Sequence, residues 1–320
     1  MASIGFTDVQ ARPSEFLDLT SLTPDEFQQL VPSFETAFQA HLAVWRLDGK
    51  PRIARRFTVY KNCPLPTPED RLLFILVSLK TYALQVVQGR LFGMGQSKAN
   101  QWIHVLLPAL LAALRALGDA AARRLGGRRG DRRCTPGGGA GSPRPSASLP
   151  PFAHDGTERR IVRPQDPPAQ TACYSGKKKD HTVKNVLLVN ALLIILFLSD
   201  THGGRVHDLR IAEATPYPLP AGSGLLQDLG FLSFTLPQVE ILMPTKQPRG
   251  EELTLEHQLA NQVLNQRRLR IEHVNSSVKR CRIVKDRIRL WKAGVRDLVM
   301  ELCCALHNFR VRLNPWLPMI

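Results

Sequence analysis

Between Arg123 and Ser148 the sequence reads RRLGGRRGDRRCTPGGGAGSPRPSAS, a run of arginine, glycine, proline and serine with almost no apolar side chains. Such a run cannot bury enough surface to offset the entropy of ordering it, so it predicts a flexible linker. The chain of 320 residues is long enough for one large domain or two ordinary ones, and the linker divides it. Residues 1–118 are expected to form a helical domain, 119–148 the linker, and 149–320 a second domain.

Charge follows the same division. The formal net charge is +16, which disfavours a plain metabolic enzyme and points to a polyanionic partner, nucleic acid before membrane surface. Residues 1–118 carry +3, 119–148 carry +5, 149–245 are neutral, and 246–320 carry +8. From Arg267 to Lys292 there are ten basic residues against two acids. That imbalance is too large for ion pairing within one helix, so a polyanion footprint is favoured over a solvated, self-paired face.

The six cysteines show no CxxC pair and no zinc spacing, which predicts reduced thiols. The longest apolar run, Val186 to Leu198, is interrupted by Asn190 and is too short to span a bilayer. The first residues resemble no signal peptide, so a cytoplasmic protein without membrane contact is expected.

The first segment reads as helical. Thr23-Pro24-Asp25-Glu26 supplies an N-cap, a proline at the first helical position and a carboxylate at the third. Thr67-Pro68-Glu69-Asp70 repeats this signal before Leu72, Leu73, Leu76 and Leu79, an apolar face at helical spacing. Helices over about 82–91 and 96–107 follow, separated by Phe92-Gly93-Met94-Gly95, and Pro108 predicts a break or kink. In the second of these, Ala99, Trp102, Ile103 and Leu106 form the buried stripe and Lys98, Asn100, Gln101 and His104 face outward. Helix, glycine turn and polar-faced helix is the pattern of a helix-turn-helix whose side chains suit base edges and phosphates. An ordinary helical bundle with a polar solvent face has the same pattern.

In the second segment Thr182–Val189 and Leu192–Leu198 predict an antiparallel pair inside a sheet. A short helix over 206–214, short strands over 224–228 and 239–243, and long helices over about 251–282 and 294–313 complete an α/β arrangement. Three acids lie at informative places. Asp155 stands where a strand is expected to give way to a turn, Asp228 closes the apolar run Leu225-Leu226, and Glu272 sits mid-helix. Acids at strand ends, faced by a helical acid, can hold two magnesium ions about 4 Å apart. Singly each suits a turn or a surface ion pair, and Asp200 and Asp208 compete for the same role. Arg268 and Lys279 share the helical face of Glu272.

Four stretches together carry a resemblance to a known family: DGTERRIVRPQD (155–166) with YSGKKKDHTVKN (174–185), VHDL (206–209), LLQDLGF (225–231), and the whole of 267–313. They resemble bacterial insertion-sequence transposases of the DDE superfamily, in the branch near Harbinger-type elements. Residues 65–85 and 91–108 are similar to that family's helical DNA-binding segment. The resemblance implies a ribonuclease H-like mixed sheet with helices, preceded by an all-α helix-turn-helix domain. It implies Asp155, Asp228 and Glu272 as catalytic and metal-binding acids, holding two Mg²⁺ ions with Mn²⁺ as a substitute. It also implies that Arg268, Lys279, Arg280 and Lys285 contact DNA phosphates while Lys98, Asn100, Gln101 and His104 read DNA. Partners would be double-stranded DNA, both terminal inverted repeats and target, bound by a homodimer at the bacterial nucleoid.

Two departures stand out. The position of a family tyrosine holds Asn265, and the approach to Asp155 reads Leu149-Pro150-Pro151-Phe152-Ala153-His154. Prolines cannot donate to a ladder, so this strand is expected to be short or irregular at its start. The readings are a transposase that cuts and joins DNA, or a decayed or domesticated relative that only binds it.

Overall fold

The computed structural model describes residues 3–53, 59, 62–124, 151–215, 219–250, 252–290, 292 and 294–319. Its first part is helical: α1 (Phe6–Val9), α2 (Pro13–Thr20), α3 (Pro24–Val44), α4 (Pro68–Thr81), α5 (Gln85–Leu91) and α6 (Gln96–Ala116). The predicted caps form. Thr23 Oγ1 accepts the Glu26 N–H at 3.2 Å while the Glu26 carboxylate accepts the Thr23 N–H at 2.8 Å. Thr67 Oγ1 accepts the Asp70 N–H at 3.0 Å. Helix α4 is buried all round from Arg71 to Leu79 and not on one face alone, because α2, α3 and α6 enclose it.

Pro108 does not break α6, which runs unbroken to Ala116. Both halves bury one stripe, Ala99, Trp102 and Leu106 before the proline and Leu110, Ala113 and Leu114 after it. Burying several such side chains at about 1.5–3 kcal/mol each outweighs the roughly 3 kcal/mol penalty of an internal proline.

The expected linker is also corrected at its start. Asp119 and Ala121 are buried, Ala122 pairs with the strand at Phe197, and Arg123 pairs with Asp297 at 3.0 Å. Those residues belong to the fold. The remainder, 125–150, including Leu149 and Pro150 before the first strand, lies outside the described residues.

The second part contains β1 (Phe152–Arg160), α7 (Pro167–Cys173), β2 (Tyr174–Ser175), β3 (Asp180–Val189), β4 (Ile195–Leu198), β5 (His202–Gly203), α8 (Asp208–Glu213), β6 (Gly224–Leu226), β7 (Glu240–Leu242), α9 (Leu255–Val278), α10 (Arg282–Lys285) and α11 (Val295–Leu313). The strand order is β2-β3-β1-β6-β7, with β4 and β5 pairing β3. Strand β1 is antiparallel to β3 and parallel to β6, so the sheet is mixed and consistent with a ribonuclease H-like arrangement. Alternation sorts β3 across the sheet. Leu187 and Val189 join a core with α9, α11 and the N-terminal helices, while Val186 and Leu188 meet Ile211 and Ala212 of α8 and Phe231.

One core therefore runs from Val9 to Met319 and does not divide at the linker. Helix α11 is its axis, buried on nearly every side. Its polar residues are satisfied internally. Asn308 Nδ2 donates to the Asp119 and Ile195 carbonyls at 2.9 Å each, and Arg312 grips Asp119 at 2.7 and 2.8 Å. Among the described residues no helix is long and apolar enough to cross a membrane.

Candidate active site

Asp155 lies in the middle of a nine-residue strand, opposite Leu187 of β3, and not at the expected strand-to-turn boundary. The pairing with β3 continues through Arg160 because Thr157, Arg159 and Ile161 are all buried and hold the strand extended. On the other side β1 pairs with β6 only at Phe152 and Ala153, immediately after Pro151. One step further, His154 and Gln227 hydrogen bond side chain to side chain at 3.1 Å. That buried bond, with His154 stacked on Phe231 at 4.0 Å, ties together the residues preceding the two aspartates. Asp228 follows, capping the short 3-10 turn Leu229–Phe231 by accepting the Gly230 N–H at 2.9 Å.

The two carboxylates feel each other. Burial raises the Asp155 pKa to about 7, and repulsion from Asp228 adds to the rise, while the Arg268 charge and the Gly156 N–H oppose it. Two acids held on β1 and just beyond its neighbour β6, with incomplete neutralisation, form an arrangement that favours a cation. Arg268 of α9 approaches Asp228 at 3.8 Å. Lys279, at the end of the same helix, loses some of its basicity to burial and has part restored by Asp155.

The residue of α9 that touches Asp155 is Asn275. Its Nδ2 donates to Asp155 Oδ2 at 2.6 Å, and its Oδ1 is buried without a hydrogen-bond partner. The two carboxylates offer the oxygen ligands that a hard divalent cation prefers. Among the described residues no group of three His, Cys, Asp or Glu side chains is gathered closely enough to hold a metal. Asn275 went unnoticed in the sequence. Its signal was spacing, as the one amide in the buried stripe Ile271, Val274, Asn275 and Val278.

The other expected residues are distributed as follows. Glu272 is exposed on α9, three residues before Asn275, and is not brought onto the two aspartates. Arg280 lines a cleft on another side of α9 with Arg270, His273 and Trp316, and Lys285 is exposed on α10. Asp208 begins α8 on the opposite sheet face, so close to β1 that a Cβ on Gly156 would lie 2.8 Å from its carboxyl carbon. Its charge is met by Lys184 at 3.3 Å.

Lys98, Asn100, Gln101 and His104 are half-buried and not fully outward. Asn100 and His104 line a cleft of about 570 Å³ with Tyr82, Arg289 and Lys292. With Gln101 they also border a second cleft beside His41 and Trp45. Burial and the neighbouring Lys292 charge lower the His104 pKa.

Residues 154–308 match the DDE superfamily endonuclease family. The chain is also 28% identical, over 162 residues, to the "Probable transposase for insertion sequence element IS702" of Microchaete diplosiphon. That alignment covers 50% of this chain and 57% of the relative, so the chain spans little more than half the relative's length. No solved structure matches. Asp155, Asp228, Arg268, Asn275 and Lys279 all fall inside the matched region, so it is the part of the chain carrying both aspartates that is similar to DDE superfamily endonucleases.

Proposed function

We propose that this protein is a transposase, in the branch near Harbinger-type elements, that binds its element's terminal inverted repeats, cleaves the DNA and joins the ends to a target. The observation that carries this reading is the closeness of half-buried Asp155 to Asp228 beside the basic α9. Asp155 and Asp228 would hold two Mg²⁺ ions, with Mn²⁺ as a substitute, and Glu272, exposed on α9 three residues before Asn275, would be drawn in as the third acid when metal and DNA bind. When bound, such ions neutralise phosphate charge and make water a stronger nucleophile.

The chain's own groups supply the rest. Arg268 and Lys279 flank the acids and fix phosphate oxygens, so that water, and then the freed 3′-hydroxyl, can attack phosphorus in line. Asn275 keeps the Asp155 carboxylate in one orientation by donating to a single oxygen. The half-buried row Lys98, Asn100, Gln101 and His104 belongs to a helix-turn-helix that contacts the ends. Two ends must be cut together, so a homodimer on DNA, at the nucleoid, is part of the proposal.

The test is cleavage of duplex DNA carrying the element's flanking ends, with Mg²⁺ added and with it chelated. Asp228→Asn and Glu272→Gln should abolish cleavage while DNA binding survives. Cleavage that persists in Glu272→Gln removes that residue from the acidic set. Salt-sensitive binding with no cleavage by the wild type would favour a protein that only binds.

A further inference from the structure

The β2–β3 hairpin takes no part in the chemistry assigned to Asp155 and Asp228. We propose that the cleft beside Tyr174 at its base binds an unpaired nucleotide of single-stranded DNA, its base stacked on Tyr174 and its phosphates met by Arg163 and Arg205. This site rests on the DNA-processing reading above and deepens it.

The cleft has a volume of about 660 Å³, and its lining includes Arg163, Gln170, Tyr174, His181 and Arg205 but no carboxylate. Tyr174 is 45% exposed. Its ring meets His181 edge to face, with centroids 5.6 Å apart, so His181 supports the ring without covering both of its faces. Arg163 is held in place because Nε and Nη2 both donate to Gln170 Oε1, at 3.1 and 2.8 Å. Among the described residues neither Arg163 nor Arg205 is paired with a carboxylate. Aromatic face, fixed guanidinium and second cation form the set that grips single strands.

Charge on the hairpin points the same way. Lys177, Lys178 and Lys179 are exposed at its turn. The acid beside them, Asp180, is turned to Arg287 at 2.6 Å and Arg160 at 3.7 Å, which leaves the lysines for an outside anion. Lys178 and Asp155 both act on Lys279, so the hairpin turn and the acid pair border the same end of α9. His181 stands six residues along β3 from Leu187, the partner of Asp155. That is about 20 Å of strand, a few nucleotides of DNA.

An unpaired base is required by the geometry of stacking. In a duplex both faces of a base are covered by its neighbours, so only a base out of the stack can lie on Tyr174. The cleft would hold the strand freed near a cut.

The experiment measures binding of labelled oligothymidylate, and of a duplex of equal length, to the full chain by fluorescence anisotropy in EDTA. Tyr174→Ala should weaken single-strand binding about tenfold and leave duplex binding within about twofold. Tyr174→Phe should restore it, and Arg163→Ala should lower the salt dependence of the single-strand complex. Urea midpoints of the variants check that the fold is kept. Equal single-strand affinity in Tyr174→Ala and wild type, or equal loss for both DNAs, overturns the site. If the wild type binds duplex DNA, and cuts it once Mg²⁺ is supplied, while Tyr174 is indifferent, only this inference fails. If it binds neither DNA, the proposed function fails with it.

Discussion

Asn275 Nδ2 and Asp155 Oδ2 lie 2.6 Å apart, a bond that closes 120 residues of chain and docks α9 on the central strand. The donor satisfies one oxygen of a carboxylate that burial has made costly to ionise. Replacing it with Ala should cost about 1–3 kcal/mol. The loss should be larger at pH 8, where Asp155 is charged, than at pH 5.5, where it is protonated. Urea unfolding at the two pH values measures this, and an equal loss at both would mean that the bond serves packing alone.

Asp155 itself should make the metal-free fold less stable as pH rises. Unfolded, the group releases its proton near 4, whereas folded it holds the proton to about 7. Between those values the folded state binds more protons, so this group's contribution to stability falls with increasing pH. Asp155→Asn should therefore stabilise the metal-free protein at pH 8 by about 1–4 kcal/mol while ending cleavage. Denaturation curves in EDTA, compared with the cleavage assay, check both outcomes.

His307 works in the opposite sense. Burial lowers its pKa to about 4, and the neutral ring bridges Ser277 Oγ and the Leu193 carbonyl, each at 2.9 Å. Unfolded, it takes up a proton near 6.5, so its contribution is complete above that value and lost as pH falls towards 4. Acidification over this window should cost about 3 kcal/mol through this group. His307→Gln should be less stable at pH 8 and show a shallower acid dependence than wild type in the same titration.

Gly156 should tolerate no side chain. A Cβ there would stand 2.8 Å from Asp208 Cγ, and Asp208 is anchored to Lys184 at the start of α8. Gly156→Ala should cost about 1–3 kcal/mol by pushing α8 from the strand that carries Asp155. A thermal melt with an unchanged midpoint would show that α8 yields freely.

Much of the framework was legible because its signals are local. Thr23 and Thr67 declared their helices through side chains three residues from the groups they cap. The paired runs before and after Asn190 declared β3 and β4. Pro108 misled because the penalty it imposes is local while the compensating burial of Leu110 and Leu114 comes from other helices. Likewise Ala122 and Arg123 read as linker by composition, yet β4 and Asp297 take up their polar groups.

By itself the sequence determined where helices and strands form and marked Asp155 and Asp228 as acids on neighbouring elements, since caps, alternation and apolar spacing act within a few residues. Which side of α9 meets the sheet was decided only by the tertiary structure. A helix advances about 100° per residue, so Glu272 lies roughly 60° around α9 from Asn275, at the border where Asn275 is buried and Glu272 is exposed. The burial of Ile271, Val274 and Val278 against distant elements sets the rotation that turns Asn275, and not Glu272, onto Asp155.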